Sequence, residues 1–163
     1  MTIKSMNSAP STVRITLGAT LKSSTGLAKY QHIHGEMRLE LGGRVVPYMG
    51  YFGPEDVCLN SWVVVLNALI AAFKQGDTTY VFDEGEQGQP AYRFERDGET
   101  AYLSIVDSAL SDGVADPDFQ RVPFRWFDLE PALKQFGQTL LEQLALLAPS
   151  QIEHWKRLLE SRR

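Results

Sequence analysis

Cysteine is nearly missing from the 163-residue chain. Cys58 stands alone, so no internal disulfide can form, and no cysteine pair exists to hold zinc in the usual way. A disulfide-stapled secreted scaffold is therefore excluded. Long apolar runs are also missing: the longest, residues 62–73, is broken by Asn67 and falls well short of the roughly 20 residues a helix needs to cross a bilayer. No membrane span is expected. The opening stretch, MTIKSMNSAPSTVRITLG, has Ser, Asn and Pro where a secretory signal needs a continuous apolar segment, so the expected location is the cytoplasm. The glycine loop followed by Lys and Ser or Thr is absent, as are Gly-x-Ser-x-Gly, His-Glu-x-x-His and the dinucleotide fingerprint. These absences remove the common enzyme signatures, and the expectation is a protein with no catalytic residues, no cofactor and no metal.

What is present is a packable core. Hydrophobic residues make up 44% of the chain, with eight Phe, six Tyr and three Trp, which excludes a low-hydrophobicity disordered chain. A chain of this size buries roughly two-thirds of its unfolded surface around one core and has little room for a second domain. Residues 1–11 are polar and without periodicity and are expected to be a disordered N-terminus; residues 12–163 are expected to form a single α+β domain.

Periodicity places the elements. Val13, Ile15 and Leu17 alternate with polar residues, as do Met37, Leu39 and Leu41, and Gly42 with Gly43 turns the second strand into a short Val45, Val46 run. A helix is expected over 60–75, capped by Asn60 or Ser61, with Trp62, Leu66, Leu69 and Phe73 on one face and Gly76 closing it. A hairpin follows over 91–106, turning at Asp97-Gly98 with Arg96 opposite Glu99. This register puts Tyr92, Phe94, Ala101, Leu103 and Ile105 on one face and Arg93, Glu95, Thr100 and Tyr102 on the other. Residues 80–82 should pair beside it, and Val122, Phe124 and Trp126 should share one side of a later strand. A helix over 128–147 carries Leu129, Leu133, Phe136, Leu140, Leu144 and Leu147 as its apolar stripe, with Asp128 as cap and Gly137 as a point of close packing. Pro149 ends it, and Ser150 with Glu153 reads as a capping box for a last helix over 150–161 bearing Ile152, Trp155 and Leu159. The fold class is α+β, a mostly antiparallel sheet packed against about three helices.

Candidate chemistry is sparse. His32, His34 and Glu36 alternate and would point one way in an extended strand, an arrangement open to metal ligands, but nothing else in the sequence supports a metal site. Cys58 has Glu55 and Asp56 as neighbours, which disfavour a thiolate, so it is expected to be a buried structural cysteine. The tail residues His154, Lys156, Arg157, Arg162 and Arg163 suit a helix C-terminus, and an acidic domain repels nucleic acid, so no nucleic-acid partner is expected. Residues 48–53, Tyr-Met-Gly-Tyr-Phe-Gly, place three aromatics around glycines, which can plug the core or anchor a partner; both readings stay open.

Charge is unevenly spread. Between residues 77 and 118, eleven Asp or Glu face only Arg93 and Arg96, net −9, although the whole chain is only −4. Asp83, Glu84, Glu86, Asp107, Asp112, Asp116 and Asp118 lie in the two loops that flank the hairpin strands. The loop from 112 to 118 misses the calcium-loop pattern with its terminal Glu.

A helix carrying Trp62 and Leu66, then TTYVFDEGEQGQPAYRFERDGETAYLSIVDSALSDG, then VPFRWFDLEPALKQFGQTLLEQLALL, resembles small cytoplasmic immunity proteins. These neutralise the toxin domains of bacterial polymorphic toxins, including toxins delivered by contact-dependent or type VI systems. The resemblance covers roughly residues 50–147 and implies an inhibitor that occludes a cognate toxin domain and has no chemistry of its own. The toxin-binding residues expected on that basis are the seven carboxylates just named, with Tyr51 and Phe52 as apolar anchors. Two other classes remain as alternatives: a small enzyme or cation-binding domain that uses the acidic sheet edge, and a housekeeping interaction domain.

Overall fold

The computed structural model describes residues 12–23 and 32–160. The expected disordered N-terminus, residues 1–11, lies outside the described residues, as do Arg162 and Arg163.

Two antiparallel sheets and three helices share one hydrophobic core, an α+β fold. The first sheet pairs β1 (Val13–Ser23) with β2 (Ile33–Leu41), and β2 in turn with β3 (Arg44–Val45) and β4 (Val57–Cys58). The period of two works as expected: Val13, Ile15, Ile33, Met37, Leu39 and Leu41 are buried, and a register shift between Leu17 and Leu21 marks a bulge in β1. The second sheet has the order β5 (Thr79–Phe82), β6 (Ala91–Asp97), β7 (Thr100–Val106), β8 (Val122–Arg125).

Helix α1 (Leu59–Lys74) runs through the core, with Trp62, Val63, Leu66, Leu69 and Phe73 all nearly inaccessible. Its end is a left-handed closure at Gly76 (φ 104), where the Gly76 N–H bonds to the Phe73 carbonyl and the Asp77 N–H to the Ala72 carbonyl. Its start differs from expectation. Leu59 is already helical and Cys58 holds the cap position without a side-chain bond, so neither Asn60 nor Ser61 caps the helix. The Asn60 amide oxygen instead accepts the Ile33 N–H at 2.8 Å, tying the helix to the start of β2. Asn67, which interrupts the apolar run, is buried and donates from Nδ2 to the Leu158 carbonyl at 3.0 Å, in the last turn of the final helix. Carbonyls there have no intrahelical partner, so a buried amide at this point satisfies one of them.

The hairpin keeps its faces but not its register. Asp97 pairs with Thr100, so Gly98 and Glu99 form the turn and Arg96 lies opposite Ala101, not Glu99. Gly98 has φ 65 at the first central position, the site where a type II′ hairpin turn takes glycine; an Asp-Gly type I′ turn would need a positive φ at Asp97 as well. The shift is by two residues, so parity survives: Tyr92, Phe94, Ala101, Leu103 and Ile105 are buried, and Arg93 and Tyr102 lie on the other face.

Val122, Phe124 and Trp126 are buried together, followed by a 3-10 turn (Trp126–Asp128) and α2 (Leu129–Leu147). Asp128 makes no capping bond, because the tight turn leaves it helical and its Oδ1 lies 3.4 Å from Arg125. The stripe of α2 is buried from Leu129 to Leu144, but Leu147 is 46% exposed at the end of the helix. Gly137 is a close approach: a Cβ there would sit 3.2 Å from both Leu159 methyls. Ser150 does not form a capping box, since it lies inside a 3-10 turn (Pro149–Gln151) that precedes α3 (Ile152–Glu160). Trp155 and Leu159 of α3 complete the core. Among the described residues, no helix is long and apolar enough to cross a membrane.

Candidate functional site

Strands β5 and β7 end, and β6 and β8 begin, at the same end of the second sheet, so the two acidic loops, residues 83–90 and 107–121, emerge side by side. They are laced together. Asp83 accepts bonds from Ser108 Oγ (2.7 Å), Ala109 N (2.8 Å) and Gly85 N (3.2 Å), and Asp112 accepts the Gly88 N–H at 2.8 Å. Ser111 Oγ adds a bond to the Gln89 carbonyl at 3.0 Å. Desolvation opposes the Asp83 charge, but the donors from Ser108, Ala109, Gly85 and Leu110 outweigh it and hold the carboxyl below its ordinary range.

Several of the expected contact carboxylates therefore have structural partners. Asp107 Oδ1 accepts the Ala115 N–H at 2.7 Å, and Asp116 Oδ1 accepts the Asp118 N–H at 2.9 Å. The Asp118 carbonyl is bonded by Arg44 from the first sheet. Glu84 is different: desolvation and the neighbouring Glu86 raise its carboxyl, and the Tyr92 phenol is raised by burial first and then by the Glu84 charge. The structure thus gathers all seven acids at one end of the molecule, but Asp83, Asp107, Asp112 and Asp116 spend bonding capacity on loop architecture.

The aromatic segment sits beside them, and its residues divide between core and surface. Met49 is buried and its carbonyl accepts the Trp62 indole N–H at 3.3 Å, while the Pro47 carbonyl accepts the Tyr92 hydroxyl at 2.9 Å. Tyr48 has φ 65, a left-handed conformation uncommon for a bulky side chain, and its hydroxyl donates to Asp116 Oδ2 at 2.9 Å. Gly50 bridges to Val57. With the loop pinned at these points, Tyr51 and Phe52 project outward, 41% and 82% exposed, with their rings edge to face at 4.6 Å. A cavity of about 470 Å³ lies beneath, with Met37 and Val46 of the first-sheet region, Tyr48 and Tyr51 of the loop, and Gln89 of the first acidic loop in its lining.

The remaining candidates do not converge. His34 Nδ1 lies 3.5 Å from Asp56 Oδ1 and Glu36 lies 3.8 Å from Arg38, and among the described residues no three His, Cys, Asp or Glu side chains form a group that would hold a metal ion. Cys58 is half-buried, not buried as expected, because the short β4 leaves its Sγ beside His32 Nδ1 (3.9 Å) and the Ser61 hydroxyl (3.4 Å). Lys156 of the basic tail lies 3.7 Å from Glu153 on its own helix.

Gln89 and Arg44 were not legible as site residues, and Tyr48 was legible only as one of three loop aromatics. Tyr48 belongs to a conspicuous aromatic segment, yet nothing in a tyrosine announces a positive φ or a partner as remote as Asp116. Comparison with protein-family models, with curated proteins and with solved structures finds nothing that matches this chain.

Proposed function

We propose that the chain is a cytoplasmic immunity protein that binds and occludes a cognate antibacterial toxin domain through the end of the molecule where the aromatic loop meets the acidic loops. The observation that carries this reading is the exposed Tyr51–Phe52 pair on a loop pinned at two backbone carbonyls by Trp62 and Tyr92 and at the Tyr48 hydroxyl by Asp116. Large aromatics held in place before binding lose little entropy on docking and are the side chains that dominate interface energetics. Glu84, Glu86 and Asp118 form the rim on this reading. Many antibacterial toxins act on nucleic acids or nucleotides and carry basic clefts, so an acidic rim steers association and an aromatic anchor slows release.

The test is genetic and then biochemical. The gene should lie beside a large open reading frame with a variable C-terminal toxin domain, and expressing this chain should rescue growth of cells that produce that domain. An operon of metabolic genes, or no rescue by a well-expressed chain, overturns the reading.

A further inference from the structure

A second cavity, of about 510 Å³, opens where the C-terminal end of α1 meets the start of α2. Arg96 forms part of its wall. By strand parity Arg96 shares the inward face of β6 with Tyr92 and Phe94, but near the turn that face runs past the end of the core. Its guanidinium carbon lies 5.4 Å from the Trp126 ring and 5.9 Å from the Phe73 ring, both of which also line the cavity.

The bonding of this guanidinium is incomplete. Among the described residues its buried Nε has no hydrogen-bond partner and no carboxylate forms an ion pair with Arg96. A guanidinium offers five donors in a planar fork, and a donor out of water without an acceptor is costly. The other cation of the cavity is matched: Lys74 Nζ lies 2.8 and 3.0 Å from the two Glu130 carboxylate oxygens. One positive charge of the lining is left over, and it belongs to Arg96.

We propose that this cavity binds a small monocarboxylate with an aromatic or aliphatic body, its carboxylate on the two terminal nitrogens of the Arg96 fork and its body against Trp126 and the exposed ring of Phe127. The planar fork matches a carboxylate in two parallel bonds, and the volume falls within the range of about 300–1,000 Å³ of small-molecule sites. A phosphate dianion fits less well, since it would bring a second negative charge against Glu130 in a protein of net charge −4. The site does not rest on the toxin-binding reading and uses none of its residues.

The experiment titrates the full chain, ¹⁵N-labelled, with 3-phenylpropionate, with its uncharged analogue 3-phenylpropanamide, and with inorganic phosphate. The Arg96 Nε–H and Trp126 Nε1–H signals are followed. Saturable shifts of both are expected with the acid, with the amide binding at least about tenfold more weakly and phosphate leaving both signals in place. Arg96→Gln should abolish the response, and Phe127→Ala, which removes a half-exposed ring, should weaken it while the chain stays folded. Equal binding of acid and amide, a matching response to phosphate, or no saturation by about 10 mM acid overturns the proposal. If Arg96→Gln does not fold, the acid and amide pair on the unmodified chain and the Phe127→Ala variant still decide it.

Discussion

Tyr48 and Asp116 stand 68 positions apart in the chain, and the phenol of one donates to the carboxylate of the other across 2.9 Å. This bond ties the aromatic loop between β3 and β4 of the first sheet to the acidic end of the second. Tyr48 keeps a left-handed backbone there, a conformation that persists only where the surroundings over-determine it.

Removing the hydroxyl alone should loosen that loop without dismantling the core. Tyr48→Phe is expected to cost about 0.5–1.5 kcal/mol, the usual net value of one hydrogen bond, and to speed amide exchange across residues 48–53. Exchange that is unchanged in the variant would show that the backbone bonds hold the loop by themselves.

Two acids from one loop should behave differently. Asp83 accepts three bonds, two of them from the second loop, so Asp83→Ala should lower urea stability by about 1–2 kcal/mol after allowing for its partial exposure. Glu86→Ala should stay within about 0.5 kcal/mol, as surface substitutions do. Equal losses in the two variants would contradict the division of this loop into an architectural and a surface carboxylate.

The pH dependence of stability follows from the same groups. Tyr92 is raised by burial, then by the Glu84 and Tyr48 charges; Tyr48 by its bond to Asp116, then by desolvation; and Tyr80 by desolvation. Phenols held neutral in the fold contribute stability that is complete below their ordinary value of 10.0 and is lost as pH rises above it, because only the unfolded chain ionises them freely. Asp83 acts in the opposite sense: its lowered carboxyl contributes above 3.8, and the contribution is lost as pH falls through the folded value. Phenolate absorbance should therefore lag for these tyrosines in alkaline titration and appear with unfolding. Early, reversible ionisation of all six tyrosines in the folded state would contradict the burial of Tyr92.

Periodicity read the faces better than the joints. The alternation around Phe94 and Leu103 was legible because burial on one face imposes parity, and a two-residue slip in the hairpin leaves parity untouched. The turn was misplaced because Asp-Gly suggests one turn type while the chain uses Gly98 for another. Caps were misread at Asn60, Asp128 and Ser150 for a common reason. Each has a side chain able to cap, but a tertiary bond at Asn60, an ion pair at Asp128 and a 3-10 turn around Ser150 set the local geometry. The acidic end was legible as charge. That Asp83, Asp107, Asp112 and Asp116 would serve the loops themselves was not, since those bonds depend on how the loops meet in space.

The toxin-binding reading rests most directly on the two exposed rings. In surface-binding kinetics with the toxin domain encoded beside this gene, Phe52→Ala and Tyr51→Ala should mainly raise the dissociation rate, with a loss of about 2 kcal/mol or more for the pair. Reversing Glu84 and Glu86 to Lys should mainly slow association and flatten its dependence on salt. Dissociation rates, association rates and growth rescue that all match the unmodified chain would place the interface elsewhere and contradict the proposal.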